Sequence, residues 1–269
     1  MGNDLKAQVK AYWNRESCGT DVAASDKFTR QYFDEIEEHR YTVEPEIFSF
    51  AQFTRYYGRK ILEVGVGAGT DFLQWVRAGA KAHGVDLTEE AVEHVRRRLG
   101  VYGLSAEEIR VADAENLPFP DNTFDLVYSW GVIHHSPDTV KALEEIIRVT
   151  RPGGTAKIMI YNRCSLYAYN MYLYWGLMRG KPFRSISDIL WHHQENIGTK
   201  AYTINEVKEL LAGYPVTIRH IGAPLKKAEL KLRKNPVMRA LLHVIVFLLG
   251  RETTGFFLTF EIEKNECVE

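Results

Sequence analysis

Apolar and polar positions fall into two regimes along this chain of 269 residues. Up to about Gly58 they never alternate as a strand would. Residues 27–40 and 45–56 instead mix aromatic and charged side chains at helical spacing, which predicts a helical N-terminal cap over 1–58. From Lys60 onward short apolar runs alternate with amphipathic stretches, the grammar of right-handed β-α-β units around a parallel sheet. The runs 60–64, 80–85, 108–112, 124–129 and 155–160 predict strands, with helices over 70–78, after the capping Thr88, and from Pro137 and Asp138 through Val149. Arg151-Pro152-Gly153-Gly154 breaks that last helix. An aromatic insertion over 161–191, a helix over 203–211 and two closing strands, 216–221 and 256–262, complete the pattern. The expected fold is α/β: a Rossmann-like, doubly wound, mostly parallel sheet over 59–263, with the helical cap before it and the aromatic insertion after strand five.

The link between the first strand and its helix carries the strongest chemical signal. Ile61-Leu62-Glu63-Val64-Gly65-Val66-Gly67-Ala68-Gly69-Thr70 joins an apolar run to a glycine turn, where backbone turns tightly and approaches a ligand closely because no Cβ intervenes. The spacing is G-x-G-x-G, whereas the dinucleotide fingerprint is G-x-G-x-x-G, and the acidic Glu63 precedes it. A carboxylate there repels a pyrophosphate and welcomes a cation. In open parallel sheets ligands gather at the carboxyl ends of the strands, where Gly65, Gly67 and Gly69, Asp86, Asp113 and the run from Ser129 and Trp130 to His134 and His135 fall. Asp86, one β-α unit after the glycines, is placed to accept hydrogen bonds from ribose hydroxyls; Asp113 with Ala114 could hold an adenine amine.

Composition narrows the partners. Lys and Arg total 34 against 35 for Asp and Glu, a formal net charge of −1, so no nucleic-acid partner is expected. Cys18, Cys164 and Cys267 are odd in number and far apart, which argues against a disulfide framework or a metal cluster and fits a reducing, cytoplasmic setting. No metal site is expected: His192 and His193 are adjacent, so on a helix they point apart.

The same residues resemble the class I S-adenosylmethionine-dependent methyltransferases. Glu63-Val64-Gly65 to Gly69 is similar to that family's first motif, Asp86-Leu87-Thr88 to its second, Ala112-Asp113-Ala114-Glu115-Asn116-Leu117-Pro118-Phe119 to its adenine-binding motif and Phe124-Asp125-Leu126-Val127 to its fourth. Val132 to Asp138 and Arg151 to Gly154 extend the likeness, which spans roughly 60–160. The resemblance implies S-adenosylmethionine as cofactor, with Glu63, Gly65, Gly67, Gly69, Asp86, Leu87, Asp113, Ala114, Glu115, Ser129, Trp130 and His135 around it. Tyr12 and Trp13 resemble an aromatic segment that relatives fold over the methionine end, where a ring face attracts a sulfonium. A cationic cofactor suits a site edged by carboxylates better than ATP does.

The methyl acceptor is less legible. The resemblance implies transfer to a small molecule, with an acceptor lid over 161–200 whose tyrosines suit a ring, a sugar edge or an apolar chain. Natural-product, quinone-like, sugar or lipid-like acceptors methylated on oxygen or carbon are expected. His135, His134 and Tyr161 are the catalytic candidates, a histidine serving as base where the acceptor is a hydroxyl; packing of cofactor or loop explains the histidines as well. The apolar and basic insertion 224–250 holds a stretch, 235–250, that suits peripheral membrane or lipid contact, a buried helix or a homodimer face equally. The rival readings are a non-catalytic or non-methyl-transferring binder of the same cofactor and, further off, an NAD-dependent oxidoreductase.

Overall fold

The computed structural model describes residues 2–15, 19–226, 229, 244, 246–247 and 250–266. Seven strands form one sheet in the order β3-β2-β1-β4-β5-β7-β6. They are β1 (Lys60–Val64), β2 (Lys81–Asp86), β3 (Glu108–Val111), β4 (Phe124–Trp130), β5 (Thr150–Tyr161), β6 (Val216–Gly222) and β7 (Phe257–Lys264). The helices are α1 (Gly2–Trp13), α2 (Arg30–Val43), α3 (Glu46–Ala51), α4 (Thr70–Arg77), α5 (Glu89–Val101), α6 (Thr139–Val149), α7 (Leu166–Trp175), α8 (Ile186–His193) and α9 (Ile204–Leu211). The chain divides into two compact units, one running to Lys157 and resuming at Glu263, the other spanning 158–262.

In the first unit β1 is central. It pairs in parallel with β2 on one side, Ile61 opposite Ala82, and with β4 on the other, Ile61 opposite Leu126. A strand buried on both faces reads as a continuous apolar run, and Ile61, Leu62 and Val64 are all buried. Strand order reverses between β1 and β4, so the carboxyl ends of those two strands flank a topological switch point. Thr88 caps α5 by accepting from the Ala91 N–H, and Asp138 caps α6 by accepting from Lys141. Lys264 closes the other end of α6, its ammonium donating to the carbonyls of Ile147, Arg148 and Thr150.

Two local expectations shift. Strand five starts at Thr150, so Arg151-Pro152-Gly153-Gly154 ends α6 as expected but already belongs to the strand; Gly153 takes φ +68 there, and Arg151 donates to Asp125 on β4. The helix expected over 45–56 stops at Ala51, because Gln52 adopts a left-handed φ of +58 before a short 3-10 turn, Phe53–Tyr56. The buried Lys157 then donates to the Phe50 carbonyl at 2.6 Å and to Gln52 at 3.0 Å.

The second unit holds α7, α8, α9, β6 and most of β7. Thr203 and Glu206 form a capping box at the start of α9, each side chain accepting from the other's backbone N–H. Asn162 ties the unit's segments together: its amide donates to the Thr253 and Gly255 carbonyls at 2.8 Å each, and its side-chain oxygen accepts from the Cys164 N–H. No helix among the described residues is long and apolar enough to cross a membrane. The stretch 235–250 lies outside the described residues except for Val244, Val246, Phe247 and Gly250, as do Cys18 and Cys267.

Candidate functional site

The three glycines after β1 all have positive φ, but for different reasons. At Gly65, φ +82, a Cβ would lie 2.2 Å from the Val132 side chain, and at Gly69, φ +71, 2.7 Å from Val95. Those two glycines let the loop pack against its neighbours. Gly67, φ +49, has nothing within 4 Å of where a Cβ would stand. It is the glycine of the three that faces open space, as a cofactor cradle requires.

Asp86 fixes that turn. One carboxylate oxygen accepts the Gly67 N–H at 3.0 Å; the other accepts the Thr88 N–H at 3.0 Å and the Thr88 hydroxyl at 2.8 Å. Thr88 thus caps a helix and orients the acid at once. Burial raises the pKa of Asp86 against these donors. The carboxyl oxygens keep lone pairs for hydroxyl donors, so the expected ribose contact fits.

The loop is held from behind by α5. The Ala68 carbonyl accepts from Arg98 at 2.9 Å and from His94 Nδ1 at 3.2 Å. A carbonyl only accepts, so His94 carries its proton on Nδ1 and its Nε2 accepts the Tyr32 hydroxyl, 3.1 Å away. Burial, then the Arg98 charge, depresses the His94 pKa to about 4. Arg98 is completely buried and also donates to Thr70, 2.8 Å, and to the Phe33 carbonyl, 3.0 Å.

Glu63 is deeper than its sequence position suggests. Its carboxylate accepts the Trp75 indole N–H at 2.9 Å, and burial, followed by the nearby Asp71 carboxylate, pushes its pKa well above the ordinary range. Asp71 is the hub of a buried network unseen in the sequence, accepting from Arg40 at 3.2 Å, Tyr41 at 3.1 Å and Tyr128 at 3.0 Å. The Trp130 indole N–H is engaged by Glu44 of the cap at 2.7 Å. Ser129, beside it, is buried, and its hydroxyl has no hydrogen-bond partner among the described residues. An orphaned buried hydroxyl at the end of β4 is a group that a ligand can satisfy.

At the end of β3, Asp113 accepts the Glu115 N–H at 2.9 Å and faces Lys6 of α1, whose ammonium lies 2.6 Å from Asp113 and 2.5 Å from Glu115. Glu115 also accepts from the Ser136 hydroxyl, 2.6 Å, and the Asp138 N–H, 2.9 Å. Burial would raise Glu115, but Lys6, Ser136 and Asp138 outweigh it and hold its pKa low. Its oxygens therefore join α1 to the loops after β3 and β4. Lys6 was not singled out by sequence, and no spacing rule links positions 107 residues apart. The negative edge expected from Glu63, Asp86 and Asp113 is correspondingly thinner: Lys6 pairs with Asp113, and burial favours the neutral forms of Glu63 and Asp86.

Farther along α1, Trp13 meets the His135 ring edge-on at 5.4 Å and Tyr12 at 4.9 Å. His134 and His135 are both buried, their rings 4.2 Å apart. Leu87 and Ala114 stay partly exposed. The remaining catalytic candidate, Tyr161, lies in the second unit, where its ring stacks on Phe256 at 4.2 Å and its hydroxyl donates to Glu195 at 2.8 Å.

Residues 62–158, from β1 into β5, match the family model described as a methyltransferase domain. That stretch is a methyltransferase domain. The α/β fold and the methyltransferase resemblance expected from the sequence are borne out at this level. Among curated relatives, the demethylmenaquinone methyltransferase of Thermobifida fusca is 30% identical over 49% of this chain and 57% of its own length. The fatty-acid O-methyltransferase of Mycolicibacterium smegmatis is 38% identical over 36% of this chain, and 35% of its own length is spanned. Such matches span only part of the relatives. In fold, the domain is similar to the geranyl diphosphate C-methyltransferase of Streptomyces coelicolor, solved with Mg2+, geranyl diphosphate and S-adenosyl-L-homocysteine. That likeness has a TM-score of 0.63 at 15% identity, over 97% of this chain and 98% of the other.

Proposed function

We propose that the protein is an S-adenosylmethionine-dependent methyltransferase acting on a small, largely apolar molecule. The observation that carries this reading is the Gly67 turn, open on its ligand side and pinned through its N–H to Asp86. Asp86 would receive the ribose hydroxyls and Asp113 with Ala114 the adenine amine. Gly67 gives the backbone room to approach, and the Trp13 and His135 rings would stand toward the methionine end. When bound, the cofactor supplies an electrophilic methyl on a sulfonium. The chain's part is to orient donor and acceptor in line, exclude water and, for a hydroxyl acceptor, take up a proton. His135, His134 and Tyr161 are the groups put forward for that step, and 161–200 for the acceptor lid. The names of the relatives, a fatty-acid O-methyltransferase and a demethylmenaquinone methyltransferase among them, favour a lipid-like or quinone-like acceptor.

Equilibrium dialysis with labelled S-adenosylmethionine and with NADH tests the cofactor. Binding of the first alone is expected, and Asp86→Ala should weaken it by about tenfold or more, the loss of a charge-assisted contact. Binding of NADH alone sinks the reading. Turnover to S-adenosylhomocysteine with a panel of fatty acids, quinols and terpenoid diphosphates then tests the acceptor class. Tight binding without turnover on any acceptor favours a non-methyl-transferring binder.

A further inference from the structure

The turn between α7 and α8 shows an arrangement that cofactor chemistry does not use. Its backbone is satisfied from within: Gly180 N–H donates to the Leu177 carbonyl at 3.1 Å, Lys181 to Gly176 at 2.9 Å and Arg184 to Lys181 at 3.2 Å. The Tyr172 hydroxyl adds a bond to the Pro182 carbonyl at 2.7 Å. Side chains brace its base. Trp175 stacks on His193 at 3.8 Å and nearly parallel, the Arg179 guanidinium lies 3.8 Å over the Trp175 ring, and Arg184 pairs with Asp188. On this braced turn the apolar side chains face water: Phe183 is 100% exposed, Met178 71% and Leu177 48%. An ordered loop that places its largest apolar groups outermost presents them for contact.

The charges around them share one sign. Between Arg163 and Asp188 the chain contains Arg179, Lys181 and Arg184 and no acidic residue. No ion pair engages Arg179 or Lys181 among the described residues. Exposed apolar side chains on a turn whose charged residues, Arg179, Lys181 and Arg184, are all basic match a surface that is negatively charged outside and oily beneath. We propose that the 176–185 turn docks the protein on an anionic lipid surface, with Phe183, Met178 and Leu177 entering the headgroup layer and Arg179 and Lys181 meeting lipid phosphates. A protein partner or a second copy would more often meet a face with acids of its own, and a turn that carries bases and no acid favours the bilayer. This inference stands apart from the proposed methyl transfer, since the docking needs neither cofactor nor acceptor.

Flotation with phosphatidylcholine vesicles, with and without about a third phosphatidylserine, tests the tip on the full chain without cofactor. The protein should float with the anionic vesicles, release as salt rises and associate poorly with the neutral ones. The double variant Met178→Ser with Phe183→Ser should lower the partition about tenfold, and Lys181→Glu by a similar factor. Circular dichroism on the variants separates lost docking from lost folding, since all three positions lie at the surface. The proposal is overturned if the native chain stays unbound on anionic vesicles, or if the double variant floats as the native chain does. A concentration-dependent dimer that Phe183→Ser abolishes, without vesicle binding, overturns it in favour of a second copy.

Discussion

The glycine loop over 65–70 and the aromatic turn over 176–185 both keep their backbone hydrogen bonds satisfied, but from different sources. The loop depends on side chains far along the chain: Arg98 and His94 both donate to Ala68, and Asp86 accepts from Gly67. The turn closes on itself through bonds between residues three to five apart in sequence. A loop held by buried, distant partners keeps one shape and transmits any damage to them. A locally closed turn leaves its outward side chains free to be changed without disturbing the fold. The difference separates residues that fix the shape of a turn from residues whose side chains are left facing water.

Arg98 is where the difference should be largest. Arg98→Ala removes a buried donor from the Ala68 carbonyl, which keeps only His94, from the Phe33 carbonyl and from the Thr70 hydroxyl. The expected loss is about 3–5 kcal/mol, the usual cost of breaking a buried charged network on one side. A denaturant midpoint that moves by less than a third of that would show the loop to be held elsewhere.

His94 should make the same loop acid-sensitive. The folded state keeps the ring neutral down to about pH 4, whereas the unfolded chain takes up a proton near its ordinary value of about 6.5. The unfolded state therefore binds more protons between those values, so stability falls as pH drops from 6.5 toward 4 and is undiminished by this group above that window. The loss over the whole window is about 3 kcal/mol. His94→Gln, which keeps a donor for Ala68 and an acceptor for Tyr32, should flatten the pH dependence of the midpoint by that amount. An unchanged slope would mean that carboxylates alone set the acid limb.

Much of the cradle was legible in advance, because the constraints on it are local in sequence. An apolar run, glycines two apart and an acid one β-α unit later follow from strand burial, backbone clearance and the crossover length, and β1, Gly67 and Asp86 occupy the places they imply. Lys6, Arg98 and Asp71 were not legible, since each acts on a partner whose distance is set by how helices pack. Glu63 illustrates a subtler limit. Its position beside the glycines suggested a cation contact, but the rotamer that reaches Trp75 depends on where α4 lies. Strand five also began earlier than its Pro-Gly-Gly run suggested, because Arg151 finds Asp125 on β4, a pairing that local propensity does not contain. The turn after α7 shows the opposite case. The aromatics of 161–200 read as a lid by composition, while the exposure of Phe183 on the turn among them is visible only in the structure, where Trp175 and His193 stack at the turn's base.

The smallest effect sharpens the comparison furthest. Phe183 has no buried surface to lose, so Phe183→Ser should leave the denaturation midpoint within about 0.5 kcal/mol of the native value, the range for exposed positions free of special contacts. Trp175→Ala, eight residues earlier in the same hairpin, removes the ring that His193 and Arg179 both pack on and should cost about 1–3 kcal/mol. A near-zero change at Phe183 beside a clear loss at Trp175 separates presentation from packing within one turn. Equal losses at both positions would place Phe183 in the folded core of the hairpin in solution, and the outward-facing tip would lose its physical basis.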